Sequence, residues 1–151
     1  MNYCVVSCGS YGKFNNGSHM HNDKLSYELV FKGKDIIVDK GSYLYTPVPY
    51  LRNYMRSTEA HNTIQIDGKE QNEFSPMQLF SMNNNAKPKK LTFRENSKFI
   101  QYVGKHTGFG DIVHFRSIKL FKGKEKLLVE DRIESKSNIS FTNRITLSPY
   151  I

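Results

Sequence analysis

Residues 25–41, LSYELVFKGKDIIVDKG, form the stretch of sequence that decides the fold. Apolar side chains occupy every second position from Leu25 to Phe31, and polar residues such as Ser26 and Glu28 fall between them. This alternation is typical of a strand with one face in a core. A Lys-Gly-Lys turn signal follows, and a second apolar run comes after it. The stretch therefore predicts a β-hairpin.

The same pattern recurs in the second half of the chain. Residues 90–104, KLTFRENSKFIQYVG, and 117–131, SIKLFKGKEKLLVED, each place a short turn between two apolar runs. Residues 137–147, SNISFTNRITL, predict a further strand with four apolar residues on one face, namely Ile139, Phe141, Ile145 and Leu147. Residues 48–61, VPYLRNYMRSTEAH, lack the alternation and predict a short helical turn or an ordered loop. Residues 1–151 therefore predict one all-β domain, an antiparallel β-sandwich.

The composition narrows the class of protein. Lysine and arginine total 22 against 14 aspartate and glutamate residues, which gives a net charge of +8. This charge favours anionic partners such as acidic polysaccharide, although surface lysines that aid solubility give the same total. No apolar stretch approaches the roughly 18 residues of a membrane helix, and no nucleic-acid-binding motif is present. We expect Cys4 and Cys8 to be free thiols, because they lie too far apart along one predicted strand for a disulfide.

Two histidines are the first candidates for chemistry. Residues 17–26, GSHMHNDKLS, place His19 and His21 two positions apart. In an extended segment such residues point to the same side, so both imidazoles can reach one site. A His-x-His pair alone is only a weak indication of metal binding. For His106 and His114 we expect a structural or surface role.

Asp39 and His61 are the next candidates. Asp39 ends the strand DIIVD directly before KGSY, and His61 precedes another predicted strand. Together with His21 they would provide the imidazole and carboxylate ligands that suit Zn²⁺. Two ordinary explanations stay open: Asp39 can be a turn residue that binds the backbone, and His61 can be a capping or buried, hydrogen-bonded imidazole.

Arginine and tyrosine side chains in the following segment suit an acidic sugar. Arg56 and Arg52 can each pair with a carboxylate or sulfate through two hydrogen bonds. Tyr43 and Tyr45 offer hydroxyl groups and flat faces for pyranose rings. The alternatives are arginines exposed to solvent and tyrosines that only pack.

Three ordered motifs carry a resemblance to a known family. They are His-x-His-x-Asp followed by Leu-Ser-Tyr-Glu-Leu at 19–29, Val-Asp-x-Gly-x-Tyr at 38–43, and Arg-Ser-Thr-x-Ala-His-Asn-Thr at 56–63. With these motifs, residues 17–71 resemble the β-sandwich domain of the heparinase II/III-like polysaccharide lyases, which include alginate and oligoalginate lyases. HFRSIKLF and LLVEDRIES look like later strands of the same domain.

The resemblance implies an enzyme that cleaves an acidic polysaccharide, such as alginate, heparin or heparan sulfate, by β-elimination next to a uronic acid. It implies that His19 reaches the catalytic cleft, where it assists proton abstraction or neutralises the carboxylate. It also implies a mainly structural Zn²⁺ whose ligands are His21, Asp39 and His61. Substrate contacts are expected from three residues of the matched region, Arg56, Tyr45 and Tyr43.

The resemblance also implies a larger protein, in which an N-terminal α/α toroid packs on this sandwich and substrate binds between them. We therefore expect the chain to be a fragment without the toroid, cut close to its last strand and inactive alone. The alternative is a non-catalytic, metal-stabilised sandwich that binds acidic glycans. A periplasmic or cell-envelope location is expected from the family only, because the N-terminus lacks the features of a signal peptide.

Overall fold

The computed structural model describes residues 2–11 and 17–150, and within them nine strands and one α-helix. The strands are β1 (Tyr3–Val6), β2 (Tyr27–Phe31), β3 (Lys34–Ile37), β4 (Ile64–Ile66), β5 (Lys89–Glu95), β6 (Phe99–Phe109), β7 (Ile112–Phe121), β8 (Leu127–Glu134) and β9 (Phe141–Asn143). Helix α1 spans Pro49–Met55, and a 3-10 helix spans Thr58–Ala60. The segment without alternation is therefore helical, one of the two outcomes expected for it.

The strands form three antiparallel sheets. One has three strands in the order β1-β2-β3, another has four in the order β5-β6-β7-β8, and β4 pairs with β9. The predicted all-β antiparallel sandwich is confirmed. Most neighbours in the sheets are also neighbours along the chain, and short turns join β2 to β3 and link β5, β6, β7 and β8 in succession.

The hairpin predicted from residues 25–41 is β2 paired with β3. Tyr27 and Leu29 are buried on one face of β2, as the alternation predicts. Lys32 and Gly33 connect the strands with φ values of 51° and 77°. Positive φ at both central residues is typical of two-residue hairpin turns, because this turn matches the twist of the flanking strands. Glycine adopts positive φ without steric cost.

Two apolar clusters fill the sandwich. The larger cluster joins the three-stranded sheet to the four-stranded sheet through four buried residues, Tyr27, Leu29, Ile37 and Ile118. The smaller cluster lies beside the two-stranded sheet and contains Ile64, Ile66, Phe109 and Ile112. Cys4 and Cys8 are free thiols, as expected. Within the described residues, no helix has the length and apolar content to cross a membrane.

The end of the chain differs from the prediction of one continuous strand over 137–147. β9 covers only Phe141–Asn143, and a single bridge later pairs Leu147 with Ile37. Ile139 packs against the smaller cluster, whereas the Phe141 side chain is 60% exposed. The four apolar residues of 137–147 therefore do not share one buried face. The strand is short because its partner, β4, has only three residues.

A buried polar network crosses the four-stranded sheet. The Gly108 N–H donates to His106 Nδ1 (3.1 Å), and His106 Nε2 lies 3.1 Å from His114 Nδ1. His114 Nε2 lies 2.7 Å from Asp131, which also accepts two hydrogen bonds from the Arg116 guanidinium. Both histidines are fully buried. The structural role expected for His106 and His114 agrees with this placement.

This network makes the stability of the domain depend on pH. Burial lowers the pKa of His106 well below its ordinary value and also lowers that of His114. Because the unfolded chain then binds more protons below pH ~6.5, protonation favours unfolding as the pH falls. Burial alone raises the pKa of Asp131, but hydrogen bonds from His114 and Arg116 lower it to about 2, so its contribution is lost only in stronger acid.

We predict that the free energy of unfolding falls below pH ~6.5, by at most about 1.4 kcal/mol per pH unit for each of His106, His114 and His21, whose pKa values the fold lowers. Urea unfolding followed by circular dichroism between pH 8 and 5 measures this. His19→Ala is the control for the loss of one histidine, because His19 is exposed and lies outside the buried network. Equal stability at pH 7.5 and pH 5 would contradict the prediction.

Candidate functional site

The three motifs meet at one pocket of about 350 Å³ beside the edge of the three-stranded sheet. His21, Asp39 and His61 line it together with Asp23 and Ser7. These residues come from separate parts of the sequence, so folding brings them together. The three predicted metal ligands therefore line the same pocket.

Two buried asparagines hold the loops of this site. The Asn62 side chain donates to the carbonyl oxygens of Tyr27 (2.9 Å) and Val38 (3.0 Å), which fixes the segment of His61 against β2 and the end of β3. The Asn22 side chain donates to Glu70 at 2.7 Å and fixes the segment of His21. Buried side-chain amides bonded in this way are costly to remove, because their partners lose hydrogen bonds away from water.

Asp39 and His61 contact each other directly. His61 Nδ1 lies 2.6 Å from Asp39 Oδ2, and the Gly41 N–H donates to Asp39 Oδ1 at 2.7 Å. Although burial alone raises the pKa of Asp39, these hydrogen bonds bring it below its ordinary value, so the group is a carboxylate. The other ring nitrogen of His61, Nε2, is buried and has no hydrogen-bond partner in the structure.

His21 lies beside this pair. Its ring centroid is 5.2 Å from that of His61, and its Nε2 lies 2.6 Å from Arg52 Nη1 and 3.3 Å from Ser42 Oγ. Burial, with smaller contributions from His61 and Arg52, lowers the pKa of His21 to about 4. The imidazole is therefore neutral near pH 7, and its Nε2 accepts a hydrogen bond from the guanidinium.

The donor set contains ligand types that suit a zinc ion, two imidazoles and a carboxylate, and Nε2 of His61 is buried without a partner among the described residues. A buried polar atom without a hydrogen bond is costly unless another group satisfies it. Within residues 2–11 and 17–150, however, no three His, Cys, Asp or Glu side chains are arranged together as a metal centre. Asp39 is instead bonded to His61, and Arg52 is bonded to His21. The zinc site stays a prediction.

His19 does not line this pocket, so the expectation that both imidazoles of the His-x-His pair reach one site is not met there. It is exposed, and its φ of 57° places it in the left-handed region. Its backbone N–H donates to the carbonyl oxygen of Phe80 at 3.0 Å, and its ring centroid lies 5.0 Å from the Phe80 ring and 5.9 Å from the Tyr45 ring. Histidine is one of the residues that adopt this region more often than most.

Arg52 connects the two histidines. Its guanidinium carbon lies 5.4 Å from the Tyr45 ring centroid and 5.8 Å from that of Phe80, while its Nη1 contacts His21. The side chain is buried, and its Nε has no hydrogen-bond partner in the structure. Arg52 was expected only as a sugar ligand. Its link to His21 has no signal in the sequence, and neither has the contribution of Phe80.

The two predicted substrate-binding tyrosines are on the loop before α1. Tyr43 is 74% exposed and Tyr45 is 51% exposed. Tyr45 borders His19 and Phe80, so its hydroxyphenyl group belongs to the same exposed cluster. Tyr43 adopts a positive φ of 54° on this loop. Substrate binding by either residue stays a prediction.

Arg56 is placed differently from these tyrosines, because it is buried. Its guanidinium donates to Asn53 Oδ1 (2.8 and 3.0 Å), the Ser81 carbonyl oxygen (2.8 Å) and the Ser75 carbonyl oxygen (3.0 Å). It also stacks 4.0 Å from the Phe74 ring centroid. Burial lowers its pKa to about 10, so the guanidinium stays charged near pH 7. These contacts brace the loop that carries Phe80, and substrate binding by Arg56 stays a prediction.

The fold is an antiparallel β-sandwich, and the three sequence motifs meet at one of its pockets. The sequence profile described as "Heparinase II/III-like, C-terminal" matches residues 2–151. The chain belongs to this family. Comparison with curated protein sequences gave no match.

Solved structures share the fold. A heparinase III, the BT4657 gene product, is 23% identical with a TM-score of 0.73, and the match covers 91% of this chain and 19% of that one. Heparan sulfate lyase HepC from Pedobacter heparinus is 20% identical with a TM-score of 0.76, over 96% of this chain and 21% of that one. A further heparinase III has a TM-score of 0.58 at 19% identity, over 78% of this chain and 17% of that one. This chain thus spans about a fifth of the length of these proteins.

We predict that Arg56→Lys loosens the loop of residues 75–81 and lowers the free energy of unfolding by about 1–3 kcal/mol, because one ammonium cannot replace the guanidinium fork. Hydrogen exchange of the loop amides, followed by mass spectrometry, measures the loosening. Arg144→Lys is the matched control, since Arg144 donates one hydrogen bond to Gln65 and has a smaller effect. Unchanged exchange in the loop would show that Arg56 does not brace it.

Proposed function

We propose that this chain is the sandwich module of a polysaccharide lyase that cleaves a uronic-acid-containing polysaccharide by β-elimination. The carrying observation is the exposed imidazole of His19, which contacts the rings of Phe80 and Tyr45 and lies two residues before His21, whose ring contacts that of His61. Family membership supports the class of reaction. The uronate, its polymer and the role of His19 are parts of the proposal.

The reaction needs three things from the protein. The substrate carboxylate must be neutralised, the proton at C5 must be removed, and the departing O4 must receive a proton. His19 can accept a proton or donate a hydrogen bond to the carboxylate, because its imidazole is exposed. The hydroxyl group of Tyr45, on the adjacent ring, can donate a proton or bind a sugar oxygen.

The rest of the machinery belongs to the longer protein. The solved relatives are about five times as long as the matched region, which supports a catalytic partner domain outside this chain. We infer that an α/α toroid supplies the opposite wall of the cleft and further catalytic groups. The isolated sandwich is then inactive or nearly so.

Zinc is the proposed cofactor, bound by His21, Asp39 and His61. Bound there, the ion would supply a cross-link between three segments that are distant in sequence, and its role would be mainly structural. The orphaned Nε2 of His61 and the neutral imidazole of His21 support the proposal. The Asp39 carboxylate contributes the negative charge that offsets the cation.

A second candidate is a binding module without catalysis, a metal-stabilised sandwich that holds an acidic glycan. The net charge of +8 favours it. The two candidates differ in turnover, because a binding module retains the polymer and releases no unsaturated product.

The lyase proposal predicts that His19→Ala lowers turnover by about 10²–10⁴-fold with little change in stability. The protein is expressed together with its natural upstream coding sequence and incubated with heparan sulfate, heparin or alginate. Ultraviolet absorbance of the unsaturated product gives the rate. Lys34→Ala, exposed on β3, is the control and keeps full activity.

Two results would count against the lyase. One is a longer protein that produces no unsaturated sugar from any of these polymers. The other is a His19→Ala variant as fast as the unchanged protein. Retention on the polymers at low salt without turnover would support the binding module instead.

The metal proposal predicts about one zinc ion per chain and loss of the ion in His21→Ala. Elemental analysis of the purified chain measures the metal content, and thermal unfolding measures its effect on stability. Each 1 kcal/mol lost lowers the Tm by about 2–4 °C in a domain of this size. His19→Ala is the matched control and keeps the zinc. A metal-free chain whose Tm is insensitive to added zinc and to chelator would contradict the proposal.

A further inference from the structure

The four-stranded sheet presents a second surface, on the side opposite to the apolar core. Along β7, His114, Arg116 and Ile118 are buried, whereas Phe115 and Lys119 alternate with them and face outward. We call the side of the four strands that carries Phe115 and Lys119 the outer face. The inner face packs against β1–β3, so the outer face is separate from the pocket of His21 and His61.

Cations lie over aromatic rings across the outer face. The ammonium group of Lys119 is 4.8 Å from the Phe99 ring centroid, and that of Lys105 is 5.6 Å from the Phe115 ring centroid. The Arg132 guanidinium covers the same Phe115 ring at 4.1 Å. These contacts position the charges above the sheet and cover the rings with alkyl stems. The side chains are therefore already partly ordered and lose less conformational entropy when an anion binds.

The strand register spreads these cations over a wide area. Lys89, Lys105, Phe115 and Arg132 lie opposite one another on adjacent strands. With neighbouring strands about 4.8 Å apart, this row is about 14 Å wide. Lys119 belongs to a second row, about 14 Å further along the strands at about 3.4 Å per residue. A long, flexible anion can touch both rows at once.

Carboxylates only partly neutralise the outer face. Glu130 and Glu134 of β8 share it, and Glu134 accepts a hydrogen bond from Arg132 at 2.6 Å. Among the residues that the structure describes, no carboxylate forms an ion pair with Lys105 or Lys119. These two lysines are therefore available to an external anion.

We propose that the outer face is a second binding surface for acidic polysaccharide, centred on Lys105 and Lys119. The charged groups of such a polymer repeat along its length, which suits two separated rows of cations. A single-stranded nucleic acid fits less well, because bases stack on open aromatic rings and the rings of Phe99 and Phe115 are half-buried beneath cations. The class of ligand rests on the proposed function, whereas the location of the site does not.

The test measures binding of size-defined heparin oligosaccharides to the 151-residue chain by titration calorimetry at several salt concentrations. The variant is the pair Lys105→Glu and Lys119→Glu. The matched control is the pair Lys34→Glu and Lys69→Glu, which changes the net charge equally at exposed positions away from the outer face. We expect the outer-face pair to weaken binding at least about tenfold and to lower the slope of log K against log salt by about two, because two fewer counterions are released. The control has a much smaller effect.

Equal weakening by the two pairs would overturn the proposal, since binding would then follow net charge alone. Tighter binding of a DNA strand of equal charge, lost in the same outer-face pair, would overturn the class of ligand. Circular dichroism checks the fold, and the pair Lys105→Gln and Lys119→Gln replaces the Glu variant if that variant unfolds. We expect His19→Ala to keep heparin binding at the outer face. Failure of the lyase proposal would therefore appear in turnover, whereas failure of this proposal would appear in the binding of the outer-face pair.

Discussion

The buried guanidinium of Arg116 is the interaction on which the rest of the structure depends. It forms two hydrogen bonds with Asp131 on the neighbouring strand, and its Nη1 donates to the carbonyl oxygens of Leu25 (2.8 Å) and Asn62 (2.6 Å). A charge in a core is tolerated only when it is paired and hydrogen-bonded. One side chain of the four-stranded sheet thereby fixes the two segments that carry His21 and His61. The positions of His21 and His61 in the site therefore depend on the hydrogen bonds of Arg116 in the core.

The sequence predicts the hairpins because their determinants are local. Alternating apolar residues and the turn at Lys32 and Gly33 specify β2 and β3 without any distant contact. Residues 137–147 have the same alternation, yet the strand ends at Asn143 and leaves Phe141 exposed. Its length depends on the partner strand, and no pattern within the segment reports how short that partner is.

The site divides in a similar way between predictable and unpredictable parts. The resemblance carried by the three motifs implies that His21, Asp39 and His61 belong together, and all three line one pocket. The contact of Arg52 with His21 and that of Phe80 with His19 join segments far apart in sequence. Such contacts depend on loop paths set by buried amide hydrogen bonds, for which hydrophobic periodicity gives no signal.

The hydrogen bonds between the two buried histidines of the four-stranded sheet run in one direction. Because the Gly108 N–H donates to His106 Nδ1, the proton of that ring is on Nε2, and the same order continues through His114 to the Asp131 carboxylate. Each ring therefore has a single tautomer, and its N–H proton is shielded from water. Such protons exchange slowly and give separate proton resonances far downfield. The two N–H protons can thus act as an internal spectroscopic probe of whether His106 and His114 stay buried in the packed sandwich.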